Sequence, residues 1–113
     1  VPRRIPLNGT KLQKEIVAAA RRKGWKVAHF TSVFDGKNKI WRTPASADGK
    51  GWPDLVLVRD RLVAVEVKGD GDKLRPEQKD WLAVLIKAGV ETYVWTPADW
   101  FDGTIDNVLK EVT

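Results

Sequence analysis

The sequence predicts an α/β sandwich built on a mixed sheet, and three features predict it. Two apolar runs, residues 54–58 and 62–68, are separated only by Arg59-Asp60-Arg61, a connection short enough to favour an antiparallel hairpin. Segments with helical periodicity precede and follow that pair. A further β-rich run, residues 91–96, comes after the second helix, so the order is α, β, β, β, α, β with a helical tail.

Each element has a local reason. Thr10-Lys11-Leu12-Gln13 has capping-box form, and it opens a helix over residues 10–23 that Gly24 stops; Leu12, Ile16 and Ala19 supply its apolar stripe. Residues 25–30 read as a strand. Residues 31–51 carry Gly, Asn, Ser and Pro with few aliphatics, so a long, poorly regular loop is expected there, and such loops are usually functional or mobile. Pro76 suits the first turn of a helix that runs to Ala88, with Gly89 as its stop. Residues 97–112 form one or two short helices, broken at Asp102-Gly103-Thr104.

Composition narrows the function classes. A chain of 113 residues suits one domain, residues 1–113. Without cysteine there is neither a disulfide framework nor a thiolate metal site, and a single histidine, His29, excludes a multi-histidine zinc site. No apolar run approaches the roughly 20 residues of a membrane span, and VPRRIPLNG lacks a signal-peptide core. A cytoplasmic, soluble protein is expected.

The net charge of +5 is unevenly spread: the first fifty residues hold twelve Lys/Arg against three acids, and the remainder eight against twelve. A concentration of cations of this kind attracts a polyanion, most commonly nucleic acid. The candidate contacts are Lys11, Lys14, Arg42, Lys50, Lys73 and Arg75. For any one lysine, a solvated surface position is the simpler reading.

The hairpin concentrates the chemistry. Side chains alternate along a strand, so Leu62, Ala64, Glu66 and Lys68 share one face and Val63, Val65 and Val67 the other. If the hairpin pairs about Asp60, opposed residues have numbers summing to about 120, which sets Asp54 across from Glu66. Two carboxylates so placed repel by a few tenths to about 1 kcal/mol, unless a cation lies between them. Mg²⁺ suits that position, because it takes one or two carboxylates and fills its remaining places with water and phosphate oxygens. Taken singly, Asp54, Glu66 and Lys68 also fit solvated strand ends. The helices favour convergence: Glu15 lies at the edge of the first apolar stripe, and Gln78 falls within the arc of Leu82, Leu85 and Ile86. A buried amide there needs a partner, either a backbone group or Lys68 and the attacking water.

Pro53-Asp54, eleven residues, then Glu66-Val67-Lys68 resembles the PD-(D/E)xK nuclease signature. The glycine-rich approach over residues 49–54, the helix LRPEQKDWLAVLIKAG (residues 74–89) and the strand over residues 90–95 resemble the VRR-NUC branch of that superfamily. The resemblance covers roughly residues 10–97 and implies a restriction-endonuclease-like αβββαβ core. It implies that Asp54, Glu66 and the carbonyl of Val67 are metal ligands, that Lys68 positions or activates water, that Glu15 is the first-helix acid and serves the metal site through a metal-bound water or a second ion, and that Gln78 supports the lysine. It further implies Mg²⁺, replaceable by Mn²⁺, and hydrolysis of DNA to 5′-phosphate ends. Stand-alone members resemble dimeric Holliday-junction resolvases, so branched DNA and a homodimer are expected. Trp81, Trp95 and Trp100 are candidates for an aromatic dimer surface, with core packing the simpler role for each. The competing expectations are a nucleic-acid-binding module without catalysis, and the same chemistry aimed at flaps, single strands or duplex.

Overall fold

The computed structural model describes residues 7–30, 33–42 and 47–112, with the backbone alone for 33–35 and 40–42. Its elements in chain order are α1 (Gly9–Arg22), β1 (Lys26–His29), β2 (Val33–Asp35), β3 (Ile40–Arg42), β4 (Leu55–Val58), β5 (Leu62–Val67), α2 (Pro76–Lys87), β6 (Glu91–Trp95), α3 (Pro97–Phe101) and α4 (Thr104–Lys110). Four strands make one mixed sheet in the order β1-β4-β5-β6, antiparallel except for the parallel pair β5-β6. The expected α/β architecture is the observed one. Among the described residues no helix is long and apolar enough to cross a membrane.

Alternation along β5 sorts the two faces. Val63, Val65 and Val67 join Leu55, Leu57, Trp95, Leu12 and Ile16 in the core, so α1 covers that side, with Ile105 and Leu109 of α4 beside it. Burying each such aliphatic side chain contributes about 1.5–3 kcal/mol. Gln78 and Leu82 are the buried residues of α2, which packs against β6. β5 is an inner strand, paired on both edges, which is why it holds the longest buried run of the sheet.

Three expectations need correction. The first helix is capped by Asn8, whose Oδ1 accepts from the Lys11 N–H at 2.8 Å, so Thr10 lies inside the helix; an Asx side chain one residue ahead of Gly9 outcompetes the hydroxyl. The stretch read as an irregular loop contains a second, two-stranded sheet, β2 with β3, whose register runs from Val33↔Arg42 to Asp35↔Ile40. Short strands joined by a four-residue turn carry too little alternation to stand out in a polar segment. Ile86 is 61% exposed, because the buried face of α2 is confined to Gln78 and Leu82, with Leu85 half-buried at its edge. The tail divides where expected, at Gly103 with φ 87°.

Candidate active site

The pairing Leu55↔Val65, Val56↔Ala64, Leu57↔Val63 and Val58↔Leu62 follows the expected sum of 120. One step beyond β4, Asp54 therefore faces Glu66. Its Oδ2 accepts the Val67 N–H at 2.8 Å, which fastens the last residue of β5 to the residue preceding β4. Glu66 is 1% exposed, in the middle of a sheet, and its Oε2 has no hydrogen-bond partner among the described residues. A solvated strand end does not describe this carboxyl. Its pKa is pushed up to about 9, first by burial and then by hydrogen bonding to Asp54 and by the Asp54 charge, while Lys68 and Arg75 pull it down. Without a cation, the pair is relieved by holding a proton.

That orphaned oxygen tests whether a divalent ion fits. A buried carboxylate oxygen without a donor leaves a desolvation cost of several kcal/mol unmet, and a cation can meet it. Asp54, Glu66 and one backbone carbonyl from Val67 make a small, hard, all-oxygen donor set, of the kind Mg²⁺ accepts. The residues fit the ion.

The neighbouring elements hold this end of the sheet by backbone contact. Gly69 lies so close to the start of α1 that a Cβ on it would stand 2.6 Å from the Gly9 nitrogen. Its N–H donates to Asp72 Oδ2 at 2.9 Å. On the α2 side, Gly51 has φ 89°, and a Cβ there would meet the Glu77 carbonyl oxygen at 2.5 Å, so only glycine lets the approach to Asp54 dock on the helix. The indole N–H of Trp81 donates to the carbonyls of Asp48 (2.8 Å) and Lys50 (3.1 Å), and Trp52 packs edge-to-face on Trp81 at 4.9 Å.

The other site expectations divide. Lys68 follows β5 directly, is half-buried, and is close enough to Glu66 to oppose its protonation. Gln78 is buried, and its Oε1 accepts the Arg75 N–H at 2.9 Å, so the amide oxygen closes the first turn of α2, the backbone partner being the one found. Glu15 is exposed on α1, and among the described residues no three acidic or histidine side chains form a metal-holding group. It therefore does not join Asp54 and Glu66: α1 packs on the face of Val63, Val65 and Val67, opposite to the one carrying Glu66, and position 15 projects from the helix flank.

Of the candidate DNA contacts, Lys11, Lys14, Lys50, Lys73 and Arg75 are exposed, Arg75 pairing with Glu77 at 3.0 Å. The Arg42 side chain lies outside the described residues. Trp95 is 1% exposed and stacks on Tyr93, so it cannot supply a dimer surface; Trp81 is engaged as above and Trp100 packs against the core. Residues that the sequence reading passed over also converge here. Phe30 donates its N–H to the Asp54 carbonyl at 3.0 Å and packs edge-to-face with Trp52 at 6.4 Å. The expected strand over residues 25–30 already ends at Phe30; only its antiparallel pairing with β4, which no local signal encodes, sets it beside Asp54.

A hairpin bringing Pro53-Asp54 and Glu66-Val67-Lys68 to one end of a mixed sheet defines the PD-(D/E)xK class. The chain belongs to the VRR-NUC domain family, whose model matches residues 37–99. A solved structure described as a VRR_NUC domain protein superposes with a TM-score of 0.59 at 25% identity, covering 93% of this chain and 84% of that one. A curated relative, a Fanconi-associated nuclease 1 homolog of Caenorhabditis elegans, is 43% identical over 47 residues, 39% of this chain. The matched segment spans only 5% of that relative's length.

Proposed function

We propose that the protein is a metal-dependent, structure-selective DNA endonuclease, acting on branched DNA and on four-way junctions in particular as a homodimer. The observation that carries this reading is the buried Glu66 carboxyl set against Asp54, with one oxygen unpartnered. Asp54, Glu66 and the Val67 carbonyl would hold Mg²⁺ or Mn²⁺. When bound, the ion supplies positive charge against the developing charge on the phosphate and makes water a better nucleophile. Lys68, beside Glu66 at the open end of β5, holds the scissile phosphate or the attacking water by charge. Gln78 acts at one remove, fixing the start of α2 next to them.

Selectivity for shape follows from what surrounds the site. Exposed Lys11, Lys14, Lys50 and Lys73 contact a backbone without reading bases. Cutting two opposed strands of a junction requires two sites related by a two-fold axis, hence the dimer. Labelled four-way junction, flap and linear duplex incubated with Mg²⁺ test the proposal. The junction should be nicked fastest and symmetrically across the branch, and Asp54→Ala should bind it without cutting. Robust cleavage by Asp54→Ala would contradict the assignment, and equal rates on all three DNAs would remove the junction preference.

A further inference from the structure

We infer that the exposed ring of Phe30 is a stacking platform for the nucleobase adjoining the scissile phosphate, and that it selects DNA in which a branch or break leaves that base uncovered. The inference rests on the nuclease reading of Asp54 and Glu66. Pairing of β1 with β4 runs from Lys26↔Val58 to His29↔Leu55, and the bond from the Phe30 N–H to the Asp54 carbonyl carries it one residue further. Asp54 in turn faces Glu66. Phe30, Asp54 and Glu66 thus occupy adjoining places in one row across three strands, on one face of the sheet. Neighbouring strands lie about 4.8 Å apart, so the backbone of Phe30 is about one strand spacing from that of Asp54 and about two from that of Glu66.

Phe30 is 42% exposed although it is among the largest apolar side chains of the chain. Alternation accounts for this: Val27 and His29 turn to the α1 side, where Val27 packs on the core and His29 Nε2 lies 2.7 Å from Gln13 Oε1. Phe30 shares the other face with Lys26 and Ala28, which are also exposed, and among the described residues the helix packed on β1 is α1, on the opposite face. The ring is nevertheless held, through Trp52 and then Trp81, by the aromatic chain that docks the approach to Asp54 on α2. An apolar, preorganised ring in one row with Asp54 and Glu66, joined through Trp52 to the Trp81 indole that bonds the carbonyl of exposed Lys50, matches a nucleotide: base on the ring, backbone on the charge. Inside a continuous duplex both faces of every base are already stacked. Only a nucleotide at a branch, nick or strand end has a face to offer, so one ring confers selectivity for structure without sequence.

The test uses the full chain in EDTA, so that binding is read without cleavage. Affinities for a labelled four-way junction and a linear duplex of the same length are measured by anisotropy for wild type, Phe30→Trp, Phe30→Leu and Phe30→Ala. Wild type and Phe30→Trp should prefer the junction, whereas Phe30→Leu and Phe30→Ala should lose about tenfold on the junction and little on the duplex. 5-Iodo-deoxyuridine at the branch should cross-link to the peptide containing Phe30. Unchanged junction affinity in Phe30→Leu and Phe30→Ala, or cross-linking elsewhere only, would overturn the inference. Failure of the nuclease reading is separable: it would appear as Mg²⁺-dependent cleavage by Asp54→Ala, whatever Phe30 does.

Discussion

The two ends of β5 carry charge in opposite states: partly buried and paired at one, buried and unpaired by any cation among the described residues at the other. At its start, Arg61 donates to Glu91 Oε1 at 2.8 Å and to the carbonyls of Val108 (3.0 Å) and Glu111 (2.9 Å). Arg59 donates to the carbonyls of Lys23 (3.1 Å), Leu109 (2.9 Å) and Glu111. Both guanidinium groups lie over Trp25, whose indole N–H bonds the Leu109 carbonyl at 2.7 Å. The last turn of α4 leaves carbonyls without helical partners, and cationic donors there satisfy them. Tyr93 completes the cluster by donating to Glu91 Oε2 at 2.6 Å, and burial followed by that bond pushes its pKa up to about 12. At the other end of the same strand, Glu66 faces another carboxylate and has an unpartnered oxygen. One strand thus shows a pairing that serves the fold and a repulsion that the fold does not need, and the second marks the site.

The comparison can be broken most forcefully at the site end. Asp54→Ala or Glu66→Ala should lower the cleavage rate by about a thousandfold, and Glu66→Gln, which keeps the shape and removes the charge, should unfold at or above the wild-type midpoint. Single-turnover assays on a labelled junction beside denaturant melts would show both. Arg61→Ala should do the reverse. It leaves Glu91 and two carbonyls short of a donor, so stability should fall by about 2–3 kcal/mol in urea melts while cleavage well below the melting point is kept.

A subtler contrast is in pH. Because the Glu66 pKa in the folded, metal-free protein is raised from 4.5 to about 9, the folded state holds a proton that the unfolded state releases. The stability it contributes is full below about 4.5 and is lost as pH rises through about 9. Glu66→Gln removes that dependence: the variant should match wild type near pH 5 and exceed it by about 4 kcal/mol at pH 8 in EDTA. The smallest effect expected is at the Asn8 cap, which steadies α1 where it touches Gly69. Asn8→Ala should cost about 1 kcal/mol in the same melts.

How much of this was legible depended on the strength of each local signal. The hairpin about Asp60 could be registered because alternating β-branched runs flank a connection of three residues, and that register alone set Asp54 against Glu66. The second sheet was not legible, since β2 and β3 are three residues each and lie among turn formers. Helical wheels placed Gln78 and Leu82 correctly, yet they could not show that the buried face of α2 is narrow enough to expose Ile86, nor that α1 lies on the face opposite Glu66 and leaves Glu15 in solvent. Those are matters of which side an element packs on, which periodicity does not encode. Arg59 and Arg61 read as turn residues, because their partners in α4 are about fifty residues away.

Mn²⁺ binding tests the central point most directly. The free ion's paramagnetic resonance signal should fall when wild-type protein is added in metal-free buffer and should remain undiminished with Glu66→Gln at the same concentrations. Equal loss of signal with both proteins would mean that Asp54 and Glu66 do not hold the ion.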